Sequence, residues 1–219
     1  TQIMALSQSQ ISALTTSQAS AISADQIQVM NATQIQGFSA PDIMAMTATT
    51  IMGMDANALA SLTYTQLKGL TGTALSALSS TQMAALSTTQ LKTLTTAQIA
   101  QLNSTDISEL TTTELLALHT TQLRAITSTA IQGLTPDHVS ALPPTLLSAL
   151  SSGAIAALSE THLNALSSAQ ALALTTTQLS ALTTTQFSGL SSAFFASLTT
   201  EQMRAFTSSQ VNTLSDTQI

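Results

Sequence analysis

Leu182-Thr183-Thr184-Thr185-Gln186-Phe187-Ser188-Gly189-Leu190 is one full repeat of the chain and the first residue of the next. With Thr183 as an N-cap, Gln186 falls at the third helical position. That spacing is a capping box: the hydroxyl accepts from the third backbone N–H, and the Gln side chain reaches back to the cap N–H. Leu182 precedes the cap and Phe187 is the fourth helical residue, so the two form a hydrophobic staple. Leu190 closes this helix and precedes the next cap, Ser191.

The same octad runs the length of the 219-residue chain. Every eighth residue from Leu6 to Leu214 is apolar, and a second apolar row runs from Ile3 to Ile219, weakened only at Ala19 and Ala171. The cap column is Ser, Thr, Asn or Asp at 25 of 27 positions, all preferred caps; His119 and Pro143 are the exceptions. The third-position column is Gln in 16 of 28 cases. Pro136 and Pro144 fall at the first helical position and Pro41 at the second, where no intrahelical donor is lost. All four cations (Lys68, Lys92, Arg124, Arg204) occupy the fifth helical position, and nine of ten acids lie between cap and third residue. That sorting suits the helix dipole, and a strand would not produce it.

Other periods fail. Eight residues of one continuous helix leave about 80° of drift per repeat, so the apolar rows would spiral around it. An alternating strand would send rows five and three residues apart to opposite faces. The fold expected is therefore all-α: an elongated solenoid of capped helices of about six residues, one per octad. A β-solenoid is the alternative, because Thr favours strands. Helices so short need stacking to persist. Ala or Gly at the sixth position in 20 of 27 octads lets neighbours approach closely. Two or three octads per superhelical turn are expected, with Leu and Ile inside and Ser, Thr and Gln covering the outside. Residues 1–219 read as one continuous array of about 27 octads, a piece of a longer array, since neither end looks like a polar cap.

Composition narrows the role. Charged residues make up 6% and the net charge is −6 with nothing basic clustered, so nucleic acid and anionic membrane are poor partners. No apolar run reaches the roughly 18 residues of a membrane span, and no signal peptide is visible. There is no cysteine, hence no thiolate or disulfide chemistry. No nucleophile elbow, phosphate loop or zinc motif is present. His138 and His162, three octads apart, would stack in a three-octad coil and allow a metal pair; imidazole replacing a capping amide is the simpler reading. His119 sits at a cap. Asp137 adjoins His138 in first-turn positions that take polar groups anyway. Glu109 and Glu114 are the nearest thing to paired carboxylates, and neither is expected to be buried. Catalytic, cofactor-binding and metal-binding residues are accordingly expected to be none, with no cofactor and no small-molecule substrate.

Met30, Met46 and Met54 fall in the core column, whereas Met4, Met44 and Met52 fall at the exposed fifth position and form a candidate contact patch. Phe194 replaces the capping Gln and is a candidate contact point, with local overpacking the alternative. A single Tyr64 and no Trp argue against a carbohydrate or single-strand platform.

The stretches Ala173 to Leu190 and Ala85 to Leu102 resemble the octapeptide repeats, of the form A-L-T-x-x-Q-L-x, of very large exported or surface proteins of bacteria. The resemblance covers the whole chain. It implies an extracellular structural segment and brings no catalytic residues. The expected function is thus a non-enzymatic stalk, spacer or filament-forming region with end-to-end or lateral self-association. Ice binding through regularly spaced threonines (Thr88, Thr96, Thr112, Thr120, Thr176, Thr184, Thr200) and a protein-binding solenoid are the alternatives.

Overall fold

The computed structural model describes residues 2–216 and 218. Among the described residues there are twenty-five α-helices of four to six residues, two 3-10 helices (Gln2–Ala5 and Ala130–Gly133) and no strand. The protein is an all-α repeat solenoid of short capped helices, one per octad. Pro136 and Pro144 open their helices, and Pro41 is the second residue of Ala40–Ala45.

Many helices are shorter than six residues. Thr184–Ser188 stops at Gly189, and the Leu190 N–H bonds to the Phe187 carbonyl, three residues back. This tighter closure satisfies carbonyls that a longer helix would leave open. The corner that follows a helix uses two extended residues in succession. Leu70 has φ −62° and ψ 128°, and the cap Thr71 has φ −68° and ψ 152°. Among the described residues no residue has a positive φ. The chain therefore turns without the left-handed glycine that ends many helices, and β-branched Thr tolerates the corner.

Contacts divide the chain into two units: residues 1–102 with 109–118, and residues 103–108 with 119–219. Within each, a helix packs on the helix three octads away. Ala40–Ala45 touches Thr16–Ser20 and Tyr64–Gly69 in the first unit; Ser168–Ala173 touches Pro144–Leu147 and Ser192–Ala196 in the second. Hydrogen bonds between successive turns span 28 and 31 residues. One coil turn therefore takes about 28 residues, or three and a half octads, more than the two or three expected. The half-octad offset lets each helix sit over the corner between two helices of the turn below.

Both apolar rows are buried along most of their length, Met203 and Val211 being exposed. Leu67, Leu75 and Ile51 in the first unit and Leu163, Leu179 and Phe187 in the second are fully enclosed, as are the weak positions Ala19 and Ala171. Met30, Met46 and Met54 are core residues as expected. Each enclosed Leu or Ile contributes roughly 1.5–3 kcal/mol. Two such side chains per octad supply what a four- to six-residue helix lacks by itself.

The packing explains the small residues at the sixth position. A Cβ on Gly133 would lie 1.8 Å from the Ser104 carbonyl oxygen, and one on Gly69 would lie 2.3 Å from that of Ala40. Both neighbours are main chain of the preceding turn. Glycine serves here for close approach, not for its backbone freedom.

Candidate functional site

The cap column behaves as the octad requires. In Thr183, the side chain accepts from the Gln186 N–H at 3.1 Å, while Gln186 Oε1 accepts from the Thr183 N–H at 2.8 Å. The same reciprocal pair recurs at Ser7, Thr63, Thr95, Ser167 and Thr207.

The third-position Gln, however, does not cover the outside. Gln66, Gln98, Gln170, Gln178, Gln186 and Gln210 are all buried. Their Oε1 is spent on the cap, and Nε2 points to the previous turn. Gln66 Nε2 donates to the carbonyls of Ile35 (2.9 Å) and Phe38 (2.8 Å). Gln98 donates to Leu67 and Leu70, and Gln210 to Leu179 and Leu182. The accepting carbonyls belong to the end of a helix and its corner: Ile35, Leu67 and Leu179 also accept the N–H three residues on, and the corner carbonyls of Phe38, Leu70 and Leu182 lie beyond the helix and its own ladder. One amide thus caps the start of its own helix and the end of a helix one turn back. This ladder is the organising polar feature of the protein, and it corrects the expectation of a Gln-covered surface. The Ser and Thr of the first and second positions, such as Thr176, Thr177, Thr184 and Thr185, do lie outside.

The histidines fit the same rung. His162 Nδ1 accepts from the Ser159 N–H at 3.2 Å, and the imidazole also bonds to the Leu134 carbonyl of the preceding turn. Burial pushes its pKa below the ordinary histidine value, and the Leu134 carbonyl partly opposes this. His138 Nδ1 accepts from the Thr135 N–H at 3.2 Å. Both rings replace a capping amide. Their helices do pack together, but these ring nitrogens face backbone rather than a shared ion. At the His119 cap the backbone N–H donates to Gln122 Oε1 at 2.7 Å. Among the described residues no group of three or more His, Cys, Asp or Glu is placed to hold a metal ion.

Glu114 is buried, contrary to expectation. Its Oε2 accepts from the Thr111 N–H at 2.7 Å and the Thr111 hydroxyl at 2.8 Å, the capping half of the Gln role. A carboxylate has no donor for the second half, so this rung spans no turn. Glu109 is half-buried at the end of the preceding helix, and Asp137 is exposed while His138 is buried.

Phe194 is also buried, so it is no contact point. Its ring meets Phe195 edge-on at 6.1 Å, and Phe195 meets Phe187 at 5.1 Å. Where Gln would have filled the rung, the ring leaves a cavity of about 80 Å³ beside Leu163, Leu166 and Ser197. Met4, Met44 and Met52 are exposed, with Met44 at 58%. Tyr64 is exposed in a cleft of about 560 Å³ bounded by Ala60, Leu62, Ala85, Ser87 and Gln90. A cleft from the same columns appears around Ala156, Leu158, Thr183 and Gln186. These clefts are products of the repeat, formed where a corner faces the next turn.

No helix among the described residues is long and apolar enough to cross a membrane. With caps, rungs and core accounted for, the molecule is a tandem-repeat protein. Residues 107–143 match the ALTTAQ repeat. The six letters of that name trace Ala117-Leu118-His119-Thr120-Thr121-Gln122 here, with His at one cap: small residue, core residue, cap, two first-turn residues and the rung. The resemblance read from the octad is thereby borne out. No curated protein matches the chain.

Proposed function

We propose that this chain is a non-enzymatic structural segment, a stalk or spacer, of an exported bacterial surface or matrix protein. The observation that carries the reading is the double use of the third-position amide. In each regular octad the cap hydroxyl and the rung amide are consumed by the chain's own backbone, as in Thr63 with Gln66 and Ser167 with Gln170. The polar residues that recur most strictly serve the architecture, and the clefts that remain repeat with it. A neutral surface of hydroxyls is little altered by salt, which suits an external environment.

The threonine spacing supports ice binding less well. At three and a half octads per coil turn, first-position residues such as Thr176 and Thr184 stand more than a quarter turn apart around the coil. They return to one line only every seventh octad, which makes no dense planar row.

Two measurements test the proposal. Dyes on Ser9→Cys and Ser208→Cys, in a chain with no native cysteine, report the end-to-end distance by energy transfer. A spacer shortens when seven octads, two coil turns, are deleted; an unchanged distance overturns it. Antibody against the array is then applied to intact cells that produce the parent protein. Labelling without permeabilisation is expected, and labelling only after permeabilisation overturns the surface assignment.

A further inference from the structure

The coil brings residues 28 apart into line, so a fifth-position residue of one turn stands under a first-position residue of the next. One such line in the first unit runs Met4, Ala32, Ala60, Thr88 and Leu116. Met4 (58%), Ala32, Ala60 and Leu116 (36%) are exposed. Met4 is no more open than Met44 in the body of the array, so its exposure belongs to the column. Tyr64, 53% exposed, shares a cleft with Ala60 and Ala85 at the edge of the line. In the second unit the same columns give Pro144, Leu172 and Thr200, with Leu172 49% exposed. Met44 and Met52 fall singly on two other lines and extend no stripe.

The exposed charges are sorted about this stripe. On the side of rising residue number, Lys92 lies four residues past Thr88 and Lys68 eight past Ala60, one and two sevenths of a 28-residue turn. On the other side, Asp55 lies five residues before Ala60, Asp25 seven before Ala32 and Glu109 seven before Leu116, at most a quarter turn. Asp25 and Asp55 line one cleft, so they share a face. The second unit repeats the order. Arg204 lies four residues past Thr200, and Asp137 seven before Pro144. Arg124 stands twenty residues before Pro144, as Lys68 stands twenty before Thr88. Glu201, beside Arg204, is the exception; Glu160 and Asp216 fall on the far side of the coil. Each unit thus carries an apolar stripe with cations on one flank and acids on the other, in the same rotational sense.

We propose that this stripe is the contact between two copies of the chain lying side by side and parallel. A two-fold axis along the coils sets stripe on stripe. It turns each cationic flank toward the acidic flank of the other copy, on both sides of the seam. An axis across the coils gives the antiparallel pair, in which the lysines face lysines and the acids face acids. Like charges repel there, so charge selects the parallel pair. Burial of Met4, Tyr64, Leu116 and Leu172 supplies the attraction. The flanking charges are few and exposed; they act over about 8 Å at physiological salt and set the orientation. A two-fold pair uses the stripe of both copies, so association stops at two. The pairing stands on this geometry alone and holds whether or not the segment is a spacer.

Disulfide cross-linking tests this in a chain with no native cysteine. Ala60→Cys puts a thiol on the stripe, where the parallel two-fold brings it against its own copy. Met44→Cys, twelve residues past Ala32, puts one nearly half a turn away. Mild oxidation is expected to link the first at least roughly tenfold faster than the second; equal rates overturn the proposal. In sedimentation velocity the unmodified chain is expected to reach a plateau at two 22.6 kDa chains. A single-chain mass at every concentration overturns the proposal, as does a mass that climbs past two. Leu116→Gln with Leu172→Gln is expected to weaken pairing about tenfold or more. The variant Lys68→Glu, Lys92→Glu, Arg204→Glu and the variant Asp25→Lys, Glu109→Lys, Asp137→Lys each set like charge against like. Each alone is expected to pair about tenfold more weakly at low salt, and a mixture of the two is expected to recover, because every flank again meets its opposite. Unchanged pairing of either charge variant alone overturns the proposal. Circular dichroism checks that the variants fold; if one does not, the cross-linking and the unmodified series still decide. The end-to-end distance of the unpaired variants tests the spacer reading separately.

Discussion

The side-chain amide of Gln170 lies 2.8 Å from the carbonyl oxygen of Leu142, 28 residues earlier in the chain. Its other end accepts the N–H of Ser167 at 2.8 Å. A single side chain therefore closes a helix start and binds it to the preceding turn. Gln170→Leu should leave the Ser167 N–H and the Leu142 carbonyl without these partners, while the Val139 carbonyl keeps the Leu142 N–H at 3.2 Å. Leaving a buried backbone group unpaired costs about 1–3 kcal/mol. A loss of roughly 2–4 kcal/mol in urea unfolding, followed by helical circular dichroism, is expected; no shift in midpoint would refute the importance of the rung.

Glu114 offers the reverse substitution. It holds the Thr111 cap but lacks the donor that would reach the previous turn. Glu114→Gln should supply it and raise stability by about 1 kcal/mol, partly offset by loss of a favourable charge at the helix start. A higher urea midpoint with an unchanged slope is the expected reading.

Two glycines should respond in opposite directions to alanine. Gly133→Ala places a methyl against the Ser104 carbonyl oxygen and should cost about 1–3 kcal/mol. Gly153 lies within the helix Ser152–Ala157 with nothing within 4 Å of an added methyl, so Gly153→Ala should gain about 0.5–1 kcal/mol. Thermal melts of the two variants beside the parent chain compare them directly, and equal shifts would show that the inter-turn approach is not tight.

His162 should make stability depend on pH. Its Nδ1 accepts from Ser159, so the neutral ring fits the rung and the imidazolium does not. The folded pKa lies below the unfolded value of about 6.5. The unfolded chain therefore binds more protons in the interval between the two. The stabilisation is fully present above about pH 6.5 and is lost as pH falls through the folded value. The urea midpoint should drop on acidification from about pH 8 to about pH 5, more steeply than in His162→Gln, where an amide fills the rung at every pH. Identical profiles would remove His162 from the account.

The capping column and the two apolar rows are legible in the sequence because capping and amphipathic spacing are local. A Thr and a Gln three residues apart meet in their own helix, whatever lies beyond it. Burial of Glu114 and Phe194 is not legible there. Both stand in a column whose polar pattern reads as surface, and only the packing of the next turn encloses it. The histidines are legible in role, since Nδ1 of His138 and His162 replaces an amide oxygen at a matching reach.

The sequence by itself determined the unit of this protein: a short helix, its cap, its staple and its small sixth residue. It also settled that no octad could stand alone, since so short a helix buries too little by itself. What only the tertiary structure decided is how many octads make a turn, and with it the second use of the glutamine. Those depend on the angle between successive helices, set by the extended pair at each corner and by how closely main chain can approach main chain one turn away. An eight-residue period repeats the same corner, but it does not state the angle. The angle brings Gln170 to Leu142, and Gln170 secures the angle in turn.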